Sequence, residues 1–211
     1  MPRQMVLSLV AEALSIERGG RLVLEDIGFS VAAGEALLVT GPNGTGKTTL
    51  LRAIAGFLKP TSGALHLLGG NPEQDLGQHC HYAGHLDAVK SRLTVAEHLE
   101  FWAQYLGGHA DKQREALAAF DLTDLADVTA GYLSAGQRRR LGLTRLLSAD
   151  RPIWLLDEPT VSLDEDSRNR FAELVKSHLA GGGIVIAATH VDLGLPAAKH
   201  LHLASSQRAA A

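Results

Sequence analysis

Ala36-Leu37-Leu38-Val39-Thr40-Gly41-Pro42-Asn43-Gly44-Thr45-Gly46-Lys47-Thr48 is the stretch on which the fold turns. Ala36 to Val39 is fully apolar, the pattern of a strand covered on both faces in a parallel sheet. Gly41 to Thr48 matches G-x-x-x-x-G-K-[ST] and stands between that strand and a helix expected over 46–56. Glycines in such a loop let successive backbone N–H groups turn inward around phosphates, and the helix N-terminus adds its positive dipole end. Lys47 would reach the outer phosphates, Thr48 would offer a hydroxyl to Mg²⁺, and Thr49 continues the contact surface. A glycine turn that merely precedes a lysine is the plainer reading, and the flanking strand and helix argue against it.

Upstream, Val6 to Ile16 and Leu22 to Val31 alternate around Gly19-Gly20-Arg21, as in an antiparallel pair. Downstream, Lys59 to Gly63 reads as a turn and Ala64 to Leu68 as a strand. The middle is helical: Thr94-Val95-Ala96-Glu97 is a capping box opening a helix toward Leu106, and Asp111 to Phe120 keeps helical period. A helix from Ser134 to about Leu147, a strand Ile153 to Leu156, a helix Asp164 to Leu179, a strand Ile184 to Ala188 and a short strand near Leu201 follow. Strands alternating with helices predict an α/β chain with a mostly parallel sheet core. The Ala/Ser tail, Ala204 to Ala211, is expected to fray.

The length of 211 residues suits one domain, and 45% hydrophobic with 20% charged residues is ordinary for a globular chain. A formal charge of −3 offers no basic excess for nucleic acid. The lone Cys80 excludes an internal disulfide framework and fits a reducing compartment. Met1 to Val10 lacks the pattern of a signal peptide, and no run is long and apolar enough to span a bilayer, so any membrane part is expected from a partner.

Ile153-Trp154-Leu155-Leu156-Asp157-Glu158 is a buried strand ending in two carboxylates, 110 positions after Lys47. Carboxyl ends of parallel strands are where such sheets bind ligands. Asp157 would assist Mg²⁺, and Glu158 would orient and polarise the water that attacks the γ-phosphate of ATP.

Leu133-Ser134-Ala135-Gly136-Gln137 is one letter from LSGGQ, the signature of the ABC ATPases. Ser134 and Gln137 also stand in the S-x-x-Q relation of a capping box, which accounts for the serine and leaves the rest of the pentad unexplained. The chain thus resembles a P-loop NTPase of ABC ATPase type: a mostly parallel core with an N-terminal antiparallel β-subdomain and a helical subdomain. The resemblance implies one ATPase domain over 1–211, its core formed by 1–78 and 148–211, with the Q-loop and signature in 79–147. It implies that Leu133 to Gln137 receives the γ-phosphate bound by the other protomer, so that a homodimer builds both sites. Asp164, after Ser162-Leu163, resembles the D-loop, and His190, 32 positions beyond Glu158, resembles the switch histidine that holds Glu158 and the water.

Two positions depart from that pattern. Where the family stacks an aromatic on adenine this chain has Arg18, whose guanidinium plane can also stack on a base. The Q-loop glutamine, expected after Cys80-His81-Tyr82-Ala83-Gly84, is replaced by His85. His79, Cys80, His81 and His85 match neither a zinc nor a haem-attachment spacing, and alternate strand residues face opposite ways. Arg138-Arg139-Arg140 reads as a solvated face or an inter-subunit contact in preference to a nucleic-acid patch.

Within the family the chain is similar to the haem-exporter ATPases of bacterial cytochrome c maturation. Tyr82 to His85, Leu93 to Trp102, Leu133 to Leu147 and Arg151 to Pro159 carry that likeness. It implies a peripheral protein on the cytoplasmic face of the inner membrane, joined to separate integral membrane permease subunits, with ATP and Mg²⁺ as cofactors. A soluble ABC ATPase acting on DNA or ribosomes would need long coiled coils or two cassettes. A P-loop kinase or GTPase would have no use for Leu133 to Gln137, and N-K-x-D is absent from the sequence.

Overall fold

In the computed structural model, which describes residues 6–108, 112–191 and 193–204, the alternation of the N-terminal segment becomes a hairpin. β1 (Ser8–Arg18) and β2 (Arg21–Ala32) pair antiparallel, joined by Gly19 and Gly20, both at positive φ. β1 lies two residues further along the chain than the alternation predicts, β2 extends one residue further at each end, and bulges near Leu14 and Ile16 shift their register. Next come β3 (Ala36–Thr40), α1 (Lys47–Ile54) and β4 (Ser62–Leu68), the last pairing with the other edge of β1 to complete a three-stranded sheet, β2-β1-β4. α1 stops earlier than expected because Gly56 adopts positive φ just beyond Ala55.

β5 (Cys80–Ala83) leads into the helical region: α2 (Val95–Leu106), α3 (Lys112–Ala119) and α4 (Ala135–Leu143). Thr94 and Glu97 form the expected capping box, with hydrogen bonds of 3.2 and 2.8 Å. The helix expected to run to Leu147 stays α-helical only to Leu143, and Thr144–Leu147 tightens to a 3₁₀ turn. The Thr144 hydroxyl, buried, donates to the Leu141 carbonyl at 2.7 Å, a side-chain competitor for the helix ladder. Asp111, the expected start of the third helix, and the tail from 205 onward lie outside the described residues.

β6 (Ile153–Asp157), α5 (Glu165–Ala180), β7 (Ile184–Ala188) and β8 (Lys199–His202) complete a five-stranded sheet ordered β5-β6-β7-β3-β8, every pairing parallel. Its central strands β6 and β7 are buried on both faces and β3 nearly so, whereas the edge strand β8 is mostly exposed. Ile153 and Leu155 of β6 pack with Ile184, Ile186, Leu37 and α1 on one side. Trp154 and Leu156 pack with Val185, Leu38 and the helical region on the other. Each such side chain contributes about 1.5–3 kcal/mol relative to exposure, so the sheet is fixed by two cores at once.

This order sets the site. β3, β7 and β6 are neighbours running the same way, so the segments that leave their carboxyl ends, at Gly41, Thr189 and Asp157, emerge side by side. Among the described residues no helix is long and apolar enough to cross a membrane.

Candidate functional site

A cleft of about 630 Å³ opens at these strand ends. It is lined by Asn43, Gly44, Gly46, Lys47, Thr48 and Thr49 of the glycine loop and the start of α1, by Asp157, Glu158 and His85, and by Arg18, Gly19 and Val23 of the hairpin. The sequence anticipates most of this lining; Gly19 and Val23 join it only because the hairpin folds over the loop.

Loop geometry follows from its glycines and its lysine. Gly41, at φ +136°, passes so close to β8 that a Cβ would lie 2.3 Å from the Leu203 carbonyl oxygen. Gly46, at φ +101°, delivers the chain into α1, whose first N–H groups have no carbonyl within the helix to bond. Lys47 is buried, and its Nζ donates to the Gly41 carbonyl at 2.6 Å and the Pro42 carbonyl at 3.0 Å, folding back over the loop. Thr45 closes the turn by donating from its hydroxyl to the Pro42 carbonyl at 3.0 Å.

The Thr48 hydroxyl donates to the Asp157 carboxylate, 2.9 and 3.1 Å from its two oxygens. A hydroxyl and a carboxylate held together at a phosphate loop are hard oxygen donors of the kind a divalent magnesium ion takes. The Tyr82 hydroxyl also reaches Asp157, at 3.2 Å, a neighbour that the sequence reading missed; strand pairing of β5 with β6 creates it.

Glu158 has a left-handed backbone, φ +49°, a conformation that costs an L-residue roughly 1–2 kcal/mol. Its N–H is held by the Ala188 carbonyl at 2.8 Å, and its carboxylate lies 3.7 Å from Nε2 of His190. His190 is exposed at the end of β7. Beside it, buried Thr189 accepts the Val191 N–H at 3.0 Å, which turns the chain out of the sheet at this point. A carboxylate aimed by a strained backbone beside an imidazole can orient and polarise a water molecule.

Three further groups of residues singled out by the sequence have settings of their own, two of them expected to act at a protomer junction and not in this cleft. Leu133, Ser134, Ala135, Gly136 and Gln137 do not line this cleft. Ser134 is the N-cap of α4, bonded reciprocally with Gln137 at 3.2 and 2.9 Å. Asp164 is exposed and caps α5, accepting the Ser167 N–H at 2.8 Å, and this hydrogen bonding holds its carboxyl below the usual range. The arginine run is not uniformly solvated: Arg139 is buried and bonded to two loops, while Arg140 pairs with Asp121 at 2.9 Å. The spacing of charges alone carried no sign of that burial.

The histidine and cysteine cluster separates in space. His81 is buried and bonds the Ala149 carbonyl at 2.8 Å, and burial drives its pKa down to about 4. Cys80 donates to the Leu76 carbonyl at 3.2 Å, its thiol pushed up to about 12 by burial. His79 meets the Asn71 carbonyl at 3.3 Å, and His85 stands exposed at the cleft.

Comparison with known proteins places this geometry. The sequence model of the family described as ABC transporter matches residues 24–161. The Cytochrome c biogenesis ATP-binding export protein CcmA of Nitrobacter winogradskyi is 50% identical over 189 residues, covering 90% of this chain and 94% of the relative. The protein of the same description from Bradyrhizobium diazoefficiens is 52% identical over 178 residues, covering 84% and 89%. Among solved structures, one described as the ATP binding subunit of an ABC transporter superposes with a TM-score of 0.81 at 25% identity, covering 92% of this chain and 85% of that one.

Proposed function

The chain belongs to the ABC transporter family, and on that premise we propose that its cleft binds and hydrolyses ATP to drive the exporter complex of cytochrome c biogenesis, with haem delivery or release of a loaded haem chaperone as the work done. The observation that carries the reading is the convergence of Lys47, Thr48, Asp157 and Glu158 on one cleft in a chain half identical to export proteins of that pathway.

In this reading 1–211 form one ATPase domain, with 79–147 as its helical part. Phosphates enter among the loop N–H groups, and the Lys47 ammonium exchanges the Gly41 and Pro42 carbonyls for phosphate oxygens. Thr48 and Asp157 would hold Mg²⁺, which supplies charge neutralisation at the β- and γ-phosphates. Glu158 accepts a hydrogen bond from the attacking water, and His190, close to its carboxylate, fixes the direction of that bond. Arg18 and His85 both line the cleft, which supports Arg18 as the group that would stack on the adenine and His85 as the group in the Q-loop position.

Leu133 to Gln137 lie outside the chain's own cleft, which supports a homodimer in which Ser134 and the first turn of α4 close on the partner's nucleotide, with Asp164 at the junction. The absence of a candidate membrane span among the described residues is in keeping with a subunit docked peripherally on separate permease subunits at the cytoplasmic face of the inner membrane. No nucleic-acid role is proposed.

The test is a tagged pull-down from detergent-solubilised membranes with mass spectrometry and a haem absorbance scan. Recovery of cytochrome c maturation membrane proteins is the expected result. Recovery of another permease discards haem and keeps the transport ATPase; recovery of ribosomes or nucleic acid alone overturns the transport reading.

A further inference from the structure

Arg139 is 4% exposed, and its guanidinium bonds two loops, at Asp157 to Pro159 and at Gly84 to Asp87. Nε donates to the Pro159 carbonyl at 3.0 Å, and Nη2 donates to the Glu158 carbonyl at 2.7 Å and approaches that of Asp157 at 3.5 Å. Nη1 donates to the Gly84 carbonyl at 3.0 Å and pairs with the Asp87 carboxylate at 2.8 Å. One planar group therefore joins the helix that Ser134 caps, the strand end that bears Glu158 and the loop that bears His85. Close seating of α4 supports the arrangement. A Cβ on Gly142 would come within 2.9 Å of Asp87, and one on Gly136 within 3.1 Å of the Ser162 carbonyl.

We propose that Arg139 is a positioning residue that transmits the state of the Ser134 end of α4 to Glu158 of the same chain. Nucleotide held by a partner protomer against Ser134 thereby orients this chain's own hydrolytic carboxylate. The inference rests on the dimeric ATPase reading. Its physical basis is that the strained Glu158 backbone is anchored by the Ala188 carbonyl on its N–H at 2.8 Å and, on its carbonyl, by the Val161 N–H at 3.4 Å and by Arg139 at 2.7 Å, and of these partners only Arg139 belongs to a helix. A buried, charge-assisted network of this kind is stiff, because each bond lost leaves a desolvated charge or carbonyl. A lysine keeps the charge but lacks the planar fork needed to reach both loops at once.

The experiment measures ATP turnover against ATP concentration for the complex recovered with its membrane partners, carrying the parent chain, Arg139→Lys or Asp87→Asn. Arg139→Lys is expected to lose about tenfold or more in kcat with KM changed by less than about twofold, and its Hill coefficient is expected to fall toward one. Asp87→Asn, which leaves the guanidinium in place with a neutral acceptor, is expected to shift the same quantities less. Parent-like kcat and Hill coefficient in both variants overturn the proposal, as does a loss of activity that only tracks a falling melting temperature, or a parent with no cooperativity. Should Arg139→Lys not fold, Asp87→Asn decides alone by the same criteria. Gel filtration of Glu158→Gln with ATP and Mg²⁺ separates the premises: a monomer there overturns the dimeric reading whatever the arginine variants do.

Discussion

The Tyr82 hydroxyl donates to Oδ2 of Asp157 across 3.2 Å, from one strand of the parallel sheet to its neighbour, on the carboxylate that also accepts the Thr48 hydroxyl at 2.9 Å. Burial is the main reason that the Tyr82 phenol stays protonated above its ordinary range, so it remains a donor at any working pH. Tyr82→Phe removes that donor and nothing else of the ring. Turnover is expected to need more Mg²⁺ for half-saturation and to fall by about fivefold to tenfold, in line with a hydrogen bond worth about 1 kcal/mol. A magnesium titration of ATPase activity checks it; a curve identical to the parent's removes Tyr82 from the site.

Lys47 and Glu158 are expected to fail in opposite ways. Lys47→Ala deletes a phosphate contact and should abolish measurable ATP binding in a fluorescent-nucleotide titration. Glu158→Gln keeps the binding groups but replaces the charged, basic carboxylate facing the attacking water with a neutral amide, so turnover should drop about a hundredfold or more while ATP-bound dimer accumulates. Gel filtration with ATP that shows Glu158→Gln still monomeric counts against the mechanism.

Two glycines of the phosphate loop should differ sharply in their tolerance of alanine. At Gly41 a Cβ meets the Leu203 carbonyl at 2.3 Å with φ at +136°, and backbone must move; a loss of several kcal/mol is expected. At Gly44 a Cβ meets nothing within 4 Å, and the cost reduces to the left-handed backbone alone, about 1 kcal/mol. Urea unfolding of the two variants decides between this ranking and its reverse.

Stability should fall in mild acid. His81 and His98 are both driven down to about 4, chiefly by burial, against about 6.5 in the unfolded chain. A depressed histidine pKa means that the unfolded chain binds more protons between those values. The contribution is whole above pH 6.5 and is lost as pH falls toward 4, at up to about 1.4 kcal/mol per pH unit for each ring. Melting temperatures at pH 7 and pH 5 measure it, and His81→Gln should flatten the difference; equal slopes for variant and parent would remove His81 as its source.

Much of this molecule is legible in its residues one after another. Ala36 to Val39 announces a strand buried on both sides because no polar residue breaks it, and Gly41 to Thr48 announces a phosphate loop because glycine spacing and a lysine are local requirements of the backbone. Asp157 and Glu158 are legible for the same reason, as charges at the end of an apolar strand. What the sequence could not decide are relations between segments far apart along the chain. Tyr82 meets Asp157 because β5 lies beside β6, Val23 reaches the cleft because a hairpin folds over the loop, and Arg139 is buried although it sits between two other arginines. Charge spacing gives no measure of desolvation. Only the packing of α4 against the loops at Gly84 to Asp87 and Asp157 to Pro159 surrounds that guanidinium with carbonyls, and tertiary structure alone settles which of three like charges becomes a joint.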